Sequence, residues 1–183
     1  MEYKAKRFDS LEDRRNFLYE NFTGAVGVHV LNIMTDRGFL EAPASTRYHG
    51  NYAGGLFDHS VNVALILEQL SKELNLTWME ENSALRIGLL HDLCKIDSYR
   101  LDKATQVWEH RSTLVKGHGI KSVIYAAEYG ANLTEEERAC ILYHMGAYTP
   151  KEEWQDYNDA VRIFPNVLWT HTADMVASHI IGV

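Results

Sequence analysis

Residues 86–97, Arg86-Ile87-Gly88-Leu89-Leu90-His91-Asp92-Leu93-Cys94-Lys95-Ile96-Asp97, constrain this chain more than any other stretch. Leu85, Leu89 and Leu93 recur at helical spacing and can face a core. That leaves adjacent His91 and Asp92 at the C-terminal end of the same apolar helix. A buried carboxylate without a partner is heavily penalised. Neutral imidazole and carboxylate are both metal donors, so one ion shared by the pair is the simplest resolution. Taken alone, a His-Asp dipeptide more often marks a hydrogen-bonded helix end; the other histidines and acids of the chain change that reading.

Upstream lies Tyr48-His49-Gly50-Asn51-Tyr52-Ala53-Gly54-Gly55-Leu56-Phe57-Asp58-His59-Ser60, and downstream come Gly117-His118-Gly119, Tyr143-His144-Met145-Gly146 and His171-Thr172-Ala173-Asp174. With these the chain resembles the HD-domain superfamily of metal-dependent phosphohydrolases, whose ordered signature is H, then HD, then one or more His, then D. His59, His91, Asp92 and Asp174 match the four core positions, and His118 and His144 match the extra histidines of binuclear members. Residues 48–60 look like the H-x-Y-x-G-G-L-x-E-H-[ST] segment of the HD domains in bacterial 3′–5′ exoribonucleases, with Asp58 in place of Glu. That similarity runs through Lys95 and Gly117-His118 to Tyr143-His144-Met145-Gly146. No OB-type domain like that of those exoribonucleases is expected within these residues, and Met145 stands where many relatives have a second His.

At 183 residues the chain is expected to form one HD-type domain, 1–183, with a motif-bearing core over 45–180 and N-terminal helices in 1–40 packing on it. Hydrophobic content of 46% with 23% charged residues is ordinary globular composition. No apolar run approaches the roughly 20 residues needed to cross a bilayer. Charges follow the basic N-terminus too closely for a signal peptide, so a cytoplasmic protein is expected. Cys94 and Cys140 form no paired-spacing motif, and core packing is the expected role of both. A formal charge of −7 disfavours gripping of long nucleic acid, which depends on Lys and Arg neutralising phosphates. A small phosphorylated ligand remains compatible with an acidic chain, because a local cluster of cations can hold it.

The organisation reads as all-α with one small β-hairpin. Ser10 with Asp13 resembles a capping box opening a helix to about residue 19, and a second helix is expected over about 23–37, ending at Gly38. Residues 41–55 read as loop, followed by a long helix over about 56–74 with His59 in its first turn. The next helix, about 79–94, delivers His91 and Asp92. Residues 98–101 and 106–110 flank a turn and predict a hairpin, either the rim of a pocket or a surface connector. His118 opens a helix to about 129, where free N–H groups could meet a phosphate. Thr134 and Glu137 make a capping box for a helix expected to carry His144 in its last turn. Residues 148–163 read as irregular or weakly helical, and a final helix over 166–181 carries Asp174 among apolar neighbours.

The four core positions leave room on an octahedral ion for water and a phosphate oxygen, and the ion would activate that water. Donors of nitrogen and oxygen suit Mn, Fe, Co, Ni, Zn or Mg, as one ion or two. If His118 and His144 hold a second ion, Asp92 is the natural bridge; otherwise they line the pocket, one as general acid. Lys95 matches the Lys of the family's H-D-x-x-K variant and could neutralise a phosphate or hold Asp92. Arg47, His49 and Tyr52 are expected at the pocket edge. The expected activity is hydrolysis of a nucleotide or other small phosphomonoester or phosphodiester by metal-activated water. The same residue order is also similar to that of mixed-valent di-iron oxygenases built on the HD fold, and an inert nucleotide-binding or regulatory module is the third reading.

Overall fold

The structure, a computed structural model, describes residues 4–183; positions 1–3, at the start of the basic N-terminal stretch, lie outside the described residues. Helices α1 to α8 and one antiparallel hairpin make up the regular structure, as the all-α reading expects. No helix among the described residues is long and apolar enough to cross a membrane.

Helix α1, Leu11–Val26, is capped by Ser10, whose Oγ accepts from the Asp13 N–H at 3.0 Å. It runs past the expected end near residue 19 because nothing in that stretch breaks it. Gly27, at φ 89, does break it, so the expected helix over 23–37 is instead the short α2, Val28–Asp36. A residue at that φ cannot continue a right-handed helix. Both helices bury an apolar stripe, with Leu18, Phe22, Leu31 and Met34 almost fully enclosed.

The centre of the molecule is the crossing of α3, Gly55–Leu74, with α4, Ser83–Leu90. A Cβ at Gly88 would run into the main chain of Ala64, so only glycine lets the two helices approach this closely. Leu56, Phe57, Val61 and Leu67 from α3 meet Ile87, Leu89 and Leu90 from α4 in a dry core. Each such fully buried side chain contributes about 1.5–3 kcal/mol of hydrophobic stabilisation. The helix expected over 79–94 is shorter at both ends. It stops at Leu90, Asp92 departs from helical geometry at φ −110 and ψ 22, and Leu93–Lys95 form a separate 3₁₀ turn.

The hairpin appears where it is expected: β1, Tyr99–Asp102, pairs with β2, Val107–His110, in a register that sets Tyr99 opposite His110. Its turn is held by the Asp102 carboxylate, which accepts from the N–H of Ala104 at 2.7 Å. Helix α5, His118–Glu128, packs on α6, Glu135–Leu142, and the Thr134–Glu137 capping box forms in both directions. His144 lies beyond the end of α6 rather than in its last turn. Residues 154–163, expected to be irregular or weakly helical, form α7, Trp154–Ile163, which buries Ala160 and sets Tyr157 and Val161 against the core. The last expected helix is α8, Asn166–Met175, which continues not as a regular helix but as the π-helical turn Val176–Ile181. It lies against α3 and α6.

Candidate metal centre

Three helix ends and one helix face deliver the polar groups that the sequence singles out. His59 comes from the first turns of α3, His91 and Asp92 from the break after α4, Asp174 from α8, and His144 from the turn after α6. All but Asp174 are almost fully buried. His118, at the first position of α5, stands half exposed at the mouth, with 49% of its side chain accessible. The absence of a Cβ at Gly119 lets this helix start abut the Leu142 carbonyl, which brings His118 beside the turn that holds His144.

Main-chain carbonyls orient the buried rings. His59 Nδ1 donates to the Val183 oxygen at 2.9 Å, His91 Nδ1 to Gly88 at 2.8 Å and His144 Nδ1 to Ile141 at 2.7 Å. A carbonyl only accepts, so each Nδ1 carries its hydrogen, and in the neutral ring Nε2 is left as a lone pair. The Nε2 atoms of His59 and His91 then face one another at 3.3 Å. In the neutral pair two lone pairs at that distance repel; a proton on His91, which Asp92 favours, or a cation reached by both removes the repulsion. Asp174 Oδ1 lies 3.2 Å from His59 Nε2. The donor set therefore fits a divalent ion: three groups could hold one, namely His59-His91-Asp174, His91-Asp92-His144 and Asp92-Cys94-His118.

Asp92 divides the cluster between its two oxygens. Oδ2 is 3.4 Å from His91 Nε2, 3.6 Å from His59 Nε2 and 2.6 Å from Lys95 Nζ. Oδ1 is 3.7 Å from His144 Nε2 and 3.8 Å from both His118 Nδ1 and Cys94 Sγ. Burial alone would raise the Asp92 carboxyl; Lys95 and His91 outweigh it and hold the group well below the carboxylate range. The reciprocal holds at His91, where burial works against the charged ring but Asp92 raises its pKa. His118 is pushed up to about 10 by its contacts with Asp92 and then Cys94, whereas burial and then the charge of His91 push His144 down to about 4. The cluster thus attracts positive charge around Asp92 while keeping His144 neutral and able to act as a donor.

A cavity of about 860 Å³ opens onto these groups, with Lys95, His118, His144 and Asp174 on its floor and Arg47 and His49 along its edge. Tyr99 and His110, paired across the hairpin, form another part of its wall, so the hairpin is a rim of the cavity. His49 packs its ring 4.7 Å from that of His59, and its burial, with the charges of His59 and Lys95, pushes it down to about 3.

Two expectations change. Tyr52 does not line the cavity: its hydroxyl donates to Asp58 Oδ2 at 2.8 Å and its ring lies near the Arg7 guanidinium. Cys94 is buried, as expected, but stands outside the hydrophobic cluster and beside Asp92, because the helix breaks before it. The groups that could hold an ion near Asp92 therefore include a sulfur. Lys95 is a buried partner of Asp92. Tyr99, His110 and Tyr148 also line the cavity without having been singled out. The first two were within reach, since the turn of the predicted hairpin fixes its register and places them side by side. His171, one turn before Asp174, donates through Nδ1 to the His144 carbonyl at 2.8 Å and so braces the turn that carries His144.

The profile of one protein family, the HD domain, matches residues 56–174, from the start of α3 to Asp174. No curated protein and no solved structure gives a significant match.

Proposed function

This chain belongs to the HD domain family, and from that premise we propose that it is a metal-dependent hydrolase of phosphate esters acting on a small phosphorylated substrate such as a nucleotide. The observation that carries the reading is the pair of Nε2 atoms of His59 and His91, locked face to face at 3.3 Å by carbonyls behind them, with Asp92 and Asp174 against them. His59, His91, Asp92 and Asp174 would hold a divalent ion. When bound there, such an ion supplies Lewis acidity, which acidifies water and polarises a phosphoryl oxygen.

The chain's own residues supply the rest. Lys95 holds Asp92 ionised at 2.6 Å and contributes a fixed positive charge to the cavity floor, where a phosphate would lie. Arg47, on the cavity edge, would pair with a second anionic oxygen of the substrate, and His49, held neutral, would serve as a wall. His118 and His144 serve the Oδ1 side of Asp92. Where no cation occupies that side, the proton on His118 takes its place and is available to the leaving oxygen. Tyr99 and Tyr148 offer aromatic surface on the cavity wall, which can stack a nucleobase. The cavity's volume suits a ligand of that size.

The test is elemental analysis of the purified protein, then a panel of nucleotides and generic phosphodiesters assayed under argon with Mn, Co, Zn or Mg restored to stripped protein. Release of phosphate or nucleoside without oxygen supports the hydrolase. Oxygen consumption without phosphate release would replace it with an iron oxygenase. Metal-replete protein that turns over nothing in the panel but binds nucleotide would reduce it to a binding module.

A further inference from the structure

We propose that Cys94 is a metal donor, and that its thiolate, His118 Nδ1 and Asp92 Oδ1 form an outer ion position that prefers zinc or cobalt to magnesium or manganese. The inference rests on the metal-centre reading above and adds to it a sulfur donor and the class of ion that follows from it. The three donor atoms form a nearly equilateral triangle, with Sγ 3.5 Å from His118 Nδ1, Sγ 3.8 Å from Asp92 Oδ1, and His118 Nδ1 3.8 Å from the same oxygen. A tetrahedral zinc ion with bonds of about 2.3 Å to sulfur and about 2.0–2.1 Å to nitrogen and oxygen spaces its ligands roughly 3.3–3.6 Å apart. The triangle is within a few tenths of an ångström of those edges without any movement of the backbone.

A second observation points the same way from another element. His144, only 1% exposed, uses its Nδ1–H on the Ile141 carbonyl, so in the neutral ring Nε2 presents a lone pair; that atom faces Asp92 Oδ1 at 3.7 Å. Acceptor against acceptor is unfavourable in a buried site, and a cation beside Oδ1 makes it favourable. The main chain of Cys94 is anchored by its N–H on Ser122 Oγ at 3.1 Å, which fixes where the thiol emerges. A recess of about 150 Å³ lined by Cys94, His118 and Lys121 opens beside it and offers an ion a way in. Cys140, the other cysteine, is enclosed in the hydrophobic core and provides an internal control.

Binding exchanges an S–H bond for a sulfur–metal bond and releases the thiol proton to solvent; no electron is transferred. Sulfur is a soft donor, while magnesium and manganese favour carboxylate and water, so the ion preference follows from the ligand.

Anaerobic titration of the full chain with cobalt(II), read by absorption, tests this. The wild-type protein should develop a thiolate-to-cobalt charge-transfer band in the near ultraviolet. Cys94→Ser should lose that band but retain the ion held by His59, His91 and Asp174, and Cys140→Ser should keep it. Zinc affinity of the outer position should fall in Cys94→Ser by at least on the order of tenfold, the scale that loss of even an outer-sphere partner reaches. In the wild-type chain, with no substitution, zinc should slow alkylation of Cys94 by a similar factor. Cobalt bound with visible ligand-field bands but no charge-transfer band would overturn the Cys94 assignment and leave the metal centre standing, as would alkylation indifferent to zinc. No cobalt bound at all would overturn both.

Discussion

On one side of Asp92 the donors rise from helices in close contact: His59 on α3, His91 at the end of α4, Asp174 on α8, each histidine fixed from behind by a main-chain carbonyl. On the other side they come from helix ends and turns: Cys94 in a 3₁₀ turn, His118 at the start of α5 with half its side chain in solvent, and His144 past the end of α6. The inner side, whose histidines do not line the cavity, is therefore suited to retaining an ion, and the outer side to exchanging one and to meeting a substrate, since His118 and His144 border the cavity and Cys94 the recess beside it. Rigidity here comes from helix packing, while access comes from the places where helices stop.

That contrast can be broken in four ways. The largest effect is expected from Asp92→Ala, which removes the one residue common to both sides and leaves Lys95 a buried unpaired charge, at a cost of about 3–5 kcal/mol. Metal content and turnover should vanish together; metal retained at full occupancy would contradict the division of labour between its two oxygens. Next comes His118→Gln, which should leave the inner ion in place by elemental analysis while kcat falls on the order of 10²-fold or more. Loss of the inner ion in that variant would show the two sides to be one.

Gly88→Ala addresses the inner side alone. The new methyl must push α4 off Ala64, which should cost about 1–3 kcal/mol and lower Tm by roughly 2–12 °C, with faster loss of metal to a chelator. Unchanged melting and retention would mean that the helix crossing does not set the inner geometry.

The smallest effect concerns the anchorage of α5 on the outer side, where Lys121 Nζ and the Tyr125 hydroxyl both donate to Asp97. Burial alone would raise this carboxyl, but those hydrogen bonds lower it. A carboxyl depressed in the folded state adds stability that is complete above its unfolded value, about 3.9, and is lost as pH falls through the folded value. Asp97 is partly exposed, so Asp97→Asn should cost under about 1 kcal/mol at neutral pH. Its deficit relative to wild type should shrink as denaturation is repeated below about pH 4; a deficit that does not change with pH would remove Asp97 as the anchor.

Much of this was legible in the residues themselves. Thr134 with Glu137 formed the expected capping box, residues 98–110 formed the expected hairpin, and His59, His91, Asp92 and Asp174 converged as the ordered pattern implies. What was not legible depended on where helices end. Leu89 and Leu93 keep helical spacing across the His-Asp pair, so nothing local announces that the helix stops at Leu90, and Cys94 consequently read as core. Gly27 read as one glycine inside a helix rather than the break between two, and Tyr52 read as a pocket residue because the loop that turns it toward Asp58 has no periodicity to follow.

By itself, the order of residues determined which imidazole and carboxylate groups this protein could bring to one site, because polar groups set into apolar helical stripes must find partners there. Only the tertiary structure decided which ring nitrogen faces inward, which oxygen of Asp92 serves which partners, and that a thiol joins them. Those choices depend on carbonyls and helix ends contributed by segments far apart in the chain, and separations of a few ångströms between such segments are set by packing rather than by spacing along the sequence.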